Sequence, residues 1–153
     1  DPDVVMIGEM RDRESIATAM TAAETGHLVF STLHTNSASQ TIDRIIDALP
    51  DLQKSQSRFQ MAATLIGVIS QRLVPRIAGG RIPACEILIS NSAVKNLIRE
   101  NKIYQIDSVI ETSLEQGMIS LERSLSTLVR IGEISEEIAY SFATSQERLK
   151  NLL

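Results

Sequence analysis

Val4, Val5, Met6 and Ile7 form an uninterrupted apolar run that stops at Gly8 and Glu9. A run so short and so rich in β-branched residues reads as a strand buried on both faces of a parallel sheet. Parallel strands need a crossover, and the sequence supplies one. From about Arg13 to Thr25 the segment RESIATAMTAAET is rich in helix formers, Asp12 stands where an N-cap belongs, and Gly26 supplies a C-terminal stop. A second strand follows from His27 to Thr32, centred on Leu28, Val29 and Phe30. Strand, helix and strand at this spacing make a right-handed βαβ unit, which sets the opening of the chain as α/β.

Further along, QTIDRIIDAL predicts a helix closed by Pro50. Leu52, Phe59, Ala62, Ile66, Ile69 and Leu73 then recur at helical spacing and predict one long helix lying on the sheet. In LVPRIAGGRIPACEILI, Gly79 and Gly80 separate two apolar runs, the pattern of a β-hairpin with a tight primed turn, with Pro75 and Pro83 on exposed edges. From Asn91 onward the pattern is helical throughout. Val94, Leu97 and Ile98 mark one apolar face, Ile103, Ile106 and Ile110 the next, then Leu121, Leu125 and Leu128, then Ile134, Ile138 and Phe142, with Gly117 and Gly132 as punctuation. A terminal helix from Gln146 to Leu152 is introduced by Thr144 and Glu147 as a capping box. An α/β part, 1–90, is thus expected to precede a small helical part, 91–153.

At 153 residues, 43% of them hydrophobic, the chain can bury a real core. Its 15 Lys and Arg against 19 Asp and Glu leave a net charge of −4, which disfavours a nucleic-acid-coating role. No stretch approaches the roughly 18 to 20 apolar residues that cross a bilayer, and the acidic opening Asp1, Pro2, Asp3 is no signal peptide, so the chain is read as soluble and cytoplasmic. Cys85 is the single cysteine; with two histidines it makes a thin supply of soft ligands for a structural zinc. The chain has no initiator Met and opens almost directly on a strand, and it is read as a fragment of a larger protein.

Glu9 is the most informative residue. It ends an apolar strand at the carboxyl edge of an α/β sheet, where such sheets bind ligands. An acid in that place resembles a Walker B element, which organises the Mg²⁺ on nucleotide phosphates; it equally suits a residue that caps the next helix or pairs with Arg11. Thr32, His34 and Thr35 leave the adjacent strand at the same edge, where an imidazole either senses a terminal phosphate or serves as an ordinary loop histidine. His27 lies at the opposite strand end, which suits packing or capping. Arg11 and Arg13 can reach a phosphate or a neighbouring subunit, or pair with Glu14. No G-x-x-x-x-G-K-[ST] phosphate cradle occurs, because none of the seven glycines is followed by Lys.

The stretches DPDVVMIGEMRD and TAAETGHLVFSTLHTNSA, with SQRLVPR, GGR and SAVKNLIRE, resemble the Walker B and histidine boxes and C-terminal motifs of the type II/IV secretion ATPase superfamily, most closely its PilT-type pilus retraction branch. The resemblance implies the C-terminal half of a RecA-like P-loop ATPase core followed by a small helical subdomain. It implies a hexameric ring that hydrolyses ATP with Mg²⁺ to power type IV pilus retraction and twitching motility. It also implies a cytoplasmic place at the inner face of the cytoplasmic membrane, docked on the inner-membrane pilus platform protein and not inserted in the bilayer.

Residue by residue, Glu9 matches the Walker B glutamate, catalytic and Mg²⁺-organising, and His27 and His34 match the histidine box, with His34 catalytic. Arg11 and Thr32 join Glu9 and His34 as nucleotide-facing residues. The family's phosphate cradle and general base lie upstream of its Walker B box, outside this sequence, so the chain alone is expected to be inactive. SAVKNLIRE, Ser92 to Glu100, matches a helix needed for retraction without nucleotide contact, and its outward Lys95, Asn96, Arg99 and Glu100 form a candidate motor-coupling surface. The rival readings are an extension or type II secretion motor, whose relatives usually carry a four-cysteine zinc module where this chain has only Cys85, and a nonenzymatic interaction module of the same fold.

Overall fold

A computed structural model describes residues 2–153; Asp1, part of the acidic opening, lies outside them. β1 (Val4–Glu9) and β2 (Leu28–Thr32) pair in parallel across α1 (Arg13–Glu24). Asp12 caps α1, its carboxylate accepting from the Ser15 amide at 2.9 Å, with the Ser15 hydroxyl completing the capping box. The expectation that β1 is buried on both faces does not hold: Met6 is 66% exposed, and Val4, Leu28 and Phe30 are exposed beside it. β1 and β2 form a sheet of their own among the described residues, so packing of α1 covers one side only.

α2 (Ala38–Asp47) follows, capped by the Ser37 hydroxyl on the Gln40 amide. The long helix expected over 52–73 is two elements. α3 (Asp51–Thr64) ends before a hairpin of β3 (Gly67–Pro75) and β4 (Arg81–Ile89). Rather than lying on a sheet, α3 packs chiefly on α1, α2 and a later helix, α4 (Ser92–Arg99). The spacing misled because Ile66, Ile69 and Leu73 are exposed residues, two of them on the outer face of a strand whose inner row is Val68, Ser70, Arg72 and Val74. Gly67 marks the change. A Cβ there would stand 2.8 Å from the Leu88 carbonyl oxygen, an approach only glycine permits.

The hairpin turn also differs from the two-residue primed form. Arg76 and Gly80 pair through Arg76 N–H to Gly80 O at 3.1 Å, and Gly79 N–H closes the turn on Arg76 O at 3.1 Å, leaving Ile77, Ala78 and Gly79 between the paired positions. Gly79 and Gly80 adopt φ of 88° and 75°, the left-handed region that favours glycine.

Beyond α4 come α5 (Ile106–Thr112), α6 (Leu121–Arg130), α7 (Glu136–Phe142) and α8 (Gln146–Leu152). The cap of α8 is Ser145, whose hydroxyl accepts from the Arg148 amide, and not the expected Thr144–Glu147 box. The Thr144 and Ser145 amides are instead both taken by Glu122 Oε1, at 3.0 and 2.9 Å.

Two apolar cores flank the hairpin's inner face. Ile16, Ile42, Ala62, Leu88, Val94, Ile98 and Ile106 belong to the first, and Val74, Ala84, Leu121, Leu125, Ile134 and Leu149 to the second. Between them, on the same inner face, stand Arg72 and Glu86. Burial pushes the Glu86 carboxyl above its ordinary value, the bond from the Ala38 amide partly offsets this, and the nearby Asp107 and Glu122 push it further up. No helix among the described residues is long and apolar enough to cross a membrane.

Gly67→Ala should destabilise the protein by about 1–3 kcal/mol in denaturant unfolding, because the obstructing atom is a paired backbone carbonyl that cannot swing aside. Glu86 gives a pH signature. Its folded value is raised, so its contribution to stability is greatest below the unfolded-state value and is lost as pH rises through the folded one. The melting temperature of Glu86→Gln relative to the parent should therefore climb as pH rises above the ordinary glutamate range, and a pH-independent difference would contradict the assignment.

Candidate functional site

The parallel ladder runs in step from Val4↔Leu28 to Ile7↔Ser31, then slips at Gly8 so that Glu9 faces Thr32. The Thr32 hydroxyl donates to the Gly8 carbonyl, and the Met10 amide donates to the Thr32 carbonyl at 3.0 Å. These bonds lock the two strand tips side by side. Glu9 Oε2 meets Arg11 Nη2 at 2.6 Å, and Glu9 Oε1 meets His34 Nε2 at 3.3 Å. Of the readings open for Arg11, the contact present is with Glu9 and not with Glu14.

The hydrogen-bonded Arg11 guanidinium holds the Glu9 carboxyl below the ordinary glutamate value; His34 adds to this, and desolvation works against it. Glu9 is thereby ionised at neutral pH. The His34 side chain is 84% exposed, so apart from Glu9 it faces solvent. The segment after His34 is well anchored: Thr35 and Thr41 hydroxyls lie 2.7 Å apart, and the Asn36 amide donates to Gln40 Oε1 at 3.2 Å. Next to Arg11 a shallow groove runs between α1 and α2, lined by Ile16, Gln40, Asp43, Arg44 and Asp47.

The structure therefore brings Glu9, Arg11, Thr32 and His34 together. It does not bring His27 to them. His27 sits at the other end of β2, its Nδ1 3.0 Å from the Ala22 carbonyl and 3.2 Å from the Thr25 hydroxyl, which ties the end of α1 to the start of β2. Lys95, Asn96, Arg99 and Glu100 lie on or just past α4, away from the strand tips. Lys95 is half-buried and the other three are exposed; Arg99 donates to Asn96 Oδ1 at 3.1 Å and Glu100 pairs with Lys102 at 2.7 Å.

Sequence reasoning missed the polar seam between the two cores. Glu86 Oε1 accepts from the Ala38 amide at 2.7 Å, and Arg72 donates to the Asn36 carbonyl at 3.3 Å and the Phe142 carbonyl at 3.0 Å. The available signal was a lone acid inside the apolar run ACEILI. Arg72 was hidden by the helix expected over its segment.

Among the described residues no three His, Cys, Asp or Glu side chains converge as a metal site. The donor set at the strand tips is one ionised carboxylate. That fits Mg²⁺, which takes one or two carboxylates and fills its remaining positions with water and phosphate oxygens.

The family described as type II/IV secretion system protein matches residues 1–121. The twitching motility protein of Neisseria gonorrhoeae is 51% identical over 150 residues, 97% of this chain and 40% of that protein. The type IV pilus retraction ATPase PilT of Pseudomonas aeruginosa is 51% identical over 139 residues, 91% of this chain and 40% of that protein. Among solved structures, the pilus retraction motor PilT with bound ADP superposes with a TM-score of 0.88 at 46% identity, over 99% of this chain and 42% of that one. The chain spans about 40% of the length of the relatives it matches. Its fold is the RecA-like secretion-ATPase fold that the resemblance implied. With the match running from the first strand to the start of α6, the chain belongs to the type II/IV secretion system protein family.

Proposed function

We propose that the protein containing this chain is an ATP-hydrolysing motor that retracts type IV pili and so drives twitching motility. One observation carries the reading. Glu9, Arg11 and His34 meet at a single parallel-strand edge, in a chain 51% identical to a twitching motility protein over 97% of its length.

The reaction transfers the γ-phosphoryl group of ATP to water, giving ADP and phosphate, and is catalysed by positioning and charge stabilisation. Glu9, kept ionised by Arg11, supplies one carboxylate for Mg²⁺, through water. When bound, Mg²⁺ neutralises charge on the phosphate oxygens. His34 is exposed and its Nε2 is directed to the strand edge, so it can leave Glu9 and donate to a terminal phosphate oxygen, which makes it a sensor of that phosphate. Arg11, once Glu9 has another cationic partner, is free for a phosphate. Thr32 holds β1 and β2 in the register that keeps the other three together.

In the same reading six copies form a ring at the cytoplasmic face of the inner membrane, docked on the pilus platform protein. Residues 1–90 carry the nucleotide-facing groups and 91–153 the helical coupling unit. α4 offers Lys95, Asn96, Arg99 and Glu100 as its partner surface, while Val94 and Ile98 seat it in the first core.

Glu9→Gln in the intact protein keeps shape but removes charge, so turnover should fall by at least about tenfold with ATP binding retained. Unchanged turnover would return Glu9 to a purely structural ion pair. His34→Ala should cost less and weaken discrimination between ATP and ADP, measured by competition binding. Replacing Lys95 and Arg99 together by Ala should leave ATPase activity within a few-fold, since neither side chain belongs to the strand-tip site or to the core that seats α4, while retraction in cells is lost. Normal retraction by a stably expressed double variant would remove α4 from the coupling path.

A further inference from the structure

The segment that carries His34 is gripped from behind by two charged side chains. Ala38 is the first residue of α2, and its amide, which has no partner within the helix, donates to Glu86 Oε1 at 2.7 Å. Two residues earlier, the Asn36 carbonyl accepts from Arg72 Nη2 at 3.3 Å, while Arg72 Nη1 reaches the Phe142 carbonyl at the end of α7 at 3.0 Å. One guanidinium thus joins the loop after β2 to the C-terminal helices.

Arg72 and Glu86 are half-buried charged residues in an otherwise largely apolar inner row, and both line a polar cleft with Asp107 and Glu122. They stand on the inner face of the hairpin, with Val68 and Leu88 on one side and Val74 and Ala84 on the other. A charge taken from water there costs stability unless it is bonded. The setting of Glu86 is worse than neutral, because Asp107 and Glu122 add like charge and Asp107 Oδ1 is itself buried with no hydrogen-bond partner. What the pair does in return is fix three backbone groups, two of them in the segment that follows His34. His34 meets Glu9 at 3.3 Å, close to the limit of a useful hydrogen bond, so a shift of about 1 Å in its segment makes or breaks that contact.

We propose that Arg72 and Glu86 are positioning residues for His34: together they set the register of residues 33–38, and through the Phe142 carbonyl Arg72 makes the place of His34 depend on the C-terminal helices. The proposal rests on the reading of the Glu9–His34 edge as the nucleotide site. It adds a mechanical path by which movement of α7 changes the distance between His34 and Glu9. Arg72 is suited to this because its planar fork serves two carbonyls at once, which a lysine ammonium on a flexible stem does not reproduce.

The test uses the intact protein and Arg72→Lys, which keeps the charge and loses the fork, with Glu86→Asp, one methylene shorter, as an independent second variant. Each should lower kcat for ATP roughly three- to tenfold while KM changes less than about twofold. In a His34→Ala background the same substitutions should change kcat by less than about twofold, because a residue that acts through His34 has nothing left to act on. Amide exchange at 36–38 should quicken at least about tenfold, with Ile42 to Ile46 unchanged. Losses that multiply with His34→Ala, or unaltered exchange at Ala38, overturn the proposal whatever His34 does. A silent His34→Ala overturns the nucleotide-site reading and with it the positioning role, and quickened exchange then marks the grip as structural only.

Discussion

Everything at the candidate site depends on two strands running parallel and slipping by one residue at their ends. Parallel pairing sends the tips of β1 and β2 to the same edge, and the slip at Gly8 sets Glu9 across from Thr32. A bulge normally strands a backbone group; here the Gly8 carbonyl is satisfied by the Thr32 hydroxyl. An added Cβ at Gly8 meets nothing within 4 Å, so the slip is held by hydrogen bonding and not by the lack of a side chain. Without it the carboxylate would face along the sheet differently, and Arg11 and His34 would not converge on its two oxygens.

The molecule treats its carboxylates in two opposite ways. Glu9 stays at a wet edge, where a guanidinium and an imidazole favour its charge and leave both within reach of an incoming anion. Glu86 and Glu122 are drawn inside and satisfied by backbone amides at the starts of α2 and α8, where the partial positive charge of helix termini favours an anion. The first arrangement is loose and exchangeable. The second is rigid, and it fixes where helices begin relative to the hairpin.

Much of this was legible in the residues. The βαβ unit, the Asp12 cap and the meeting of Glu9 with His34 follow from an apolar run, a helix and a second run of matching length, all local signals. The segment 65–75 failed for a physical reason: on a two-stranded hairpin with one open face, Ile66, Ile69 and Leu73 are exposed apolar residues, and their spacing imitates a helix face that does not exist. The burial of β1 was overestimated for the same cause, since a strand's apolar content does not say whether its second face is covered in the described residues. The Arg72–Glu86 seam depends on a crossing between residues far apart in sequence, Ala38 and Glu86 or Arg72 and Phe142, and no local pattern encodes such a partner.

Two kinds of connection therefore leave the strand edge, and they differ in what they can transmit. Toward α4 the link is apolar: Ile16 of α1, Ala62 of α3 and Val94 and Ile98 of α4 share one core. Such packing is dense, resists compression and transmits strain, but it is non-directional and holds no single pair of atoms at a set distance. Toward α7 the link is polar, the Arg72 guanidinium spanning the Asn36 and Phe142 carbonyls, while the Glu86 carboxylate ties the start of α2 to the hairpin; the energies of such bonds fall steeply with distance and angle. A shift of the end of α7 therefore reaches the Asn36 carbonyl through one side chain. The half-buried charges of the hairpin are thus the groups best placed to make His34 respond to the rest of the molecule.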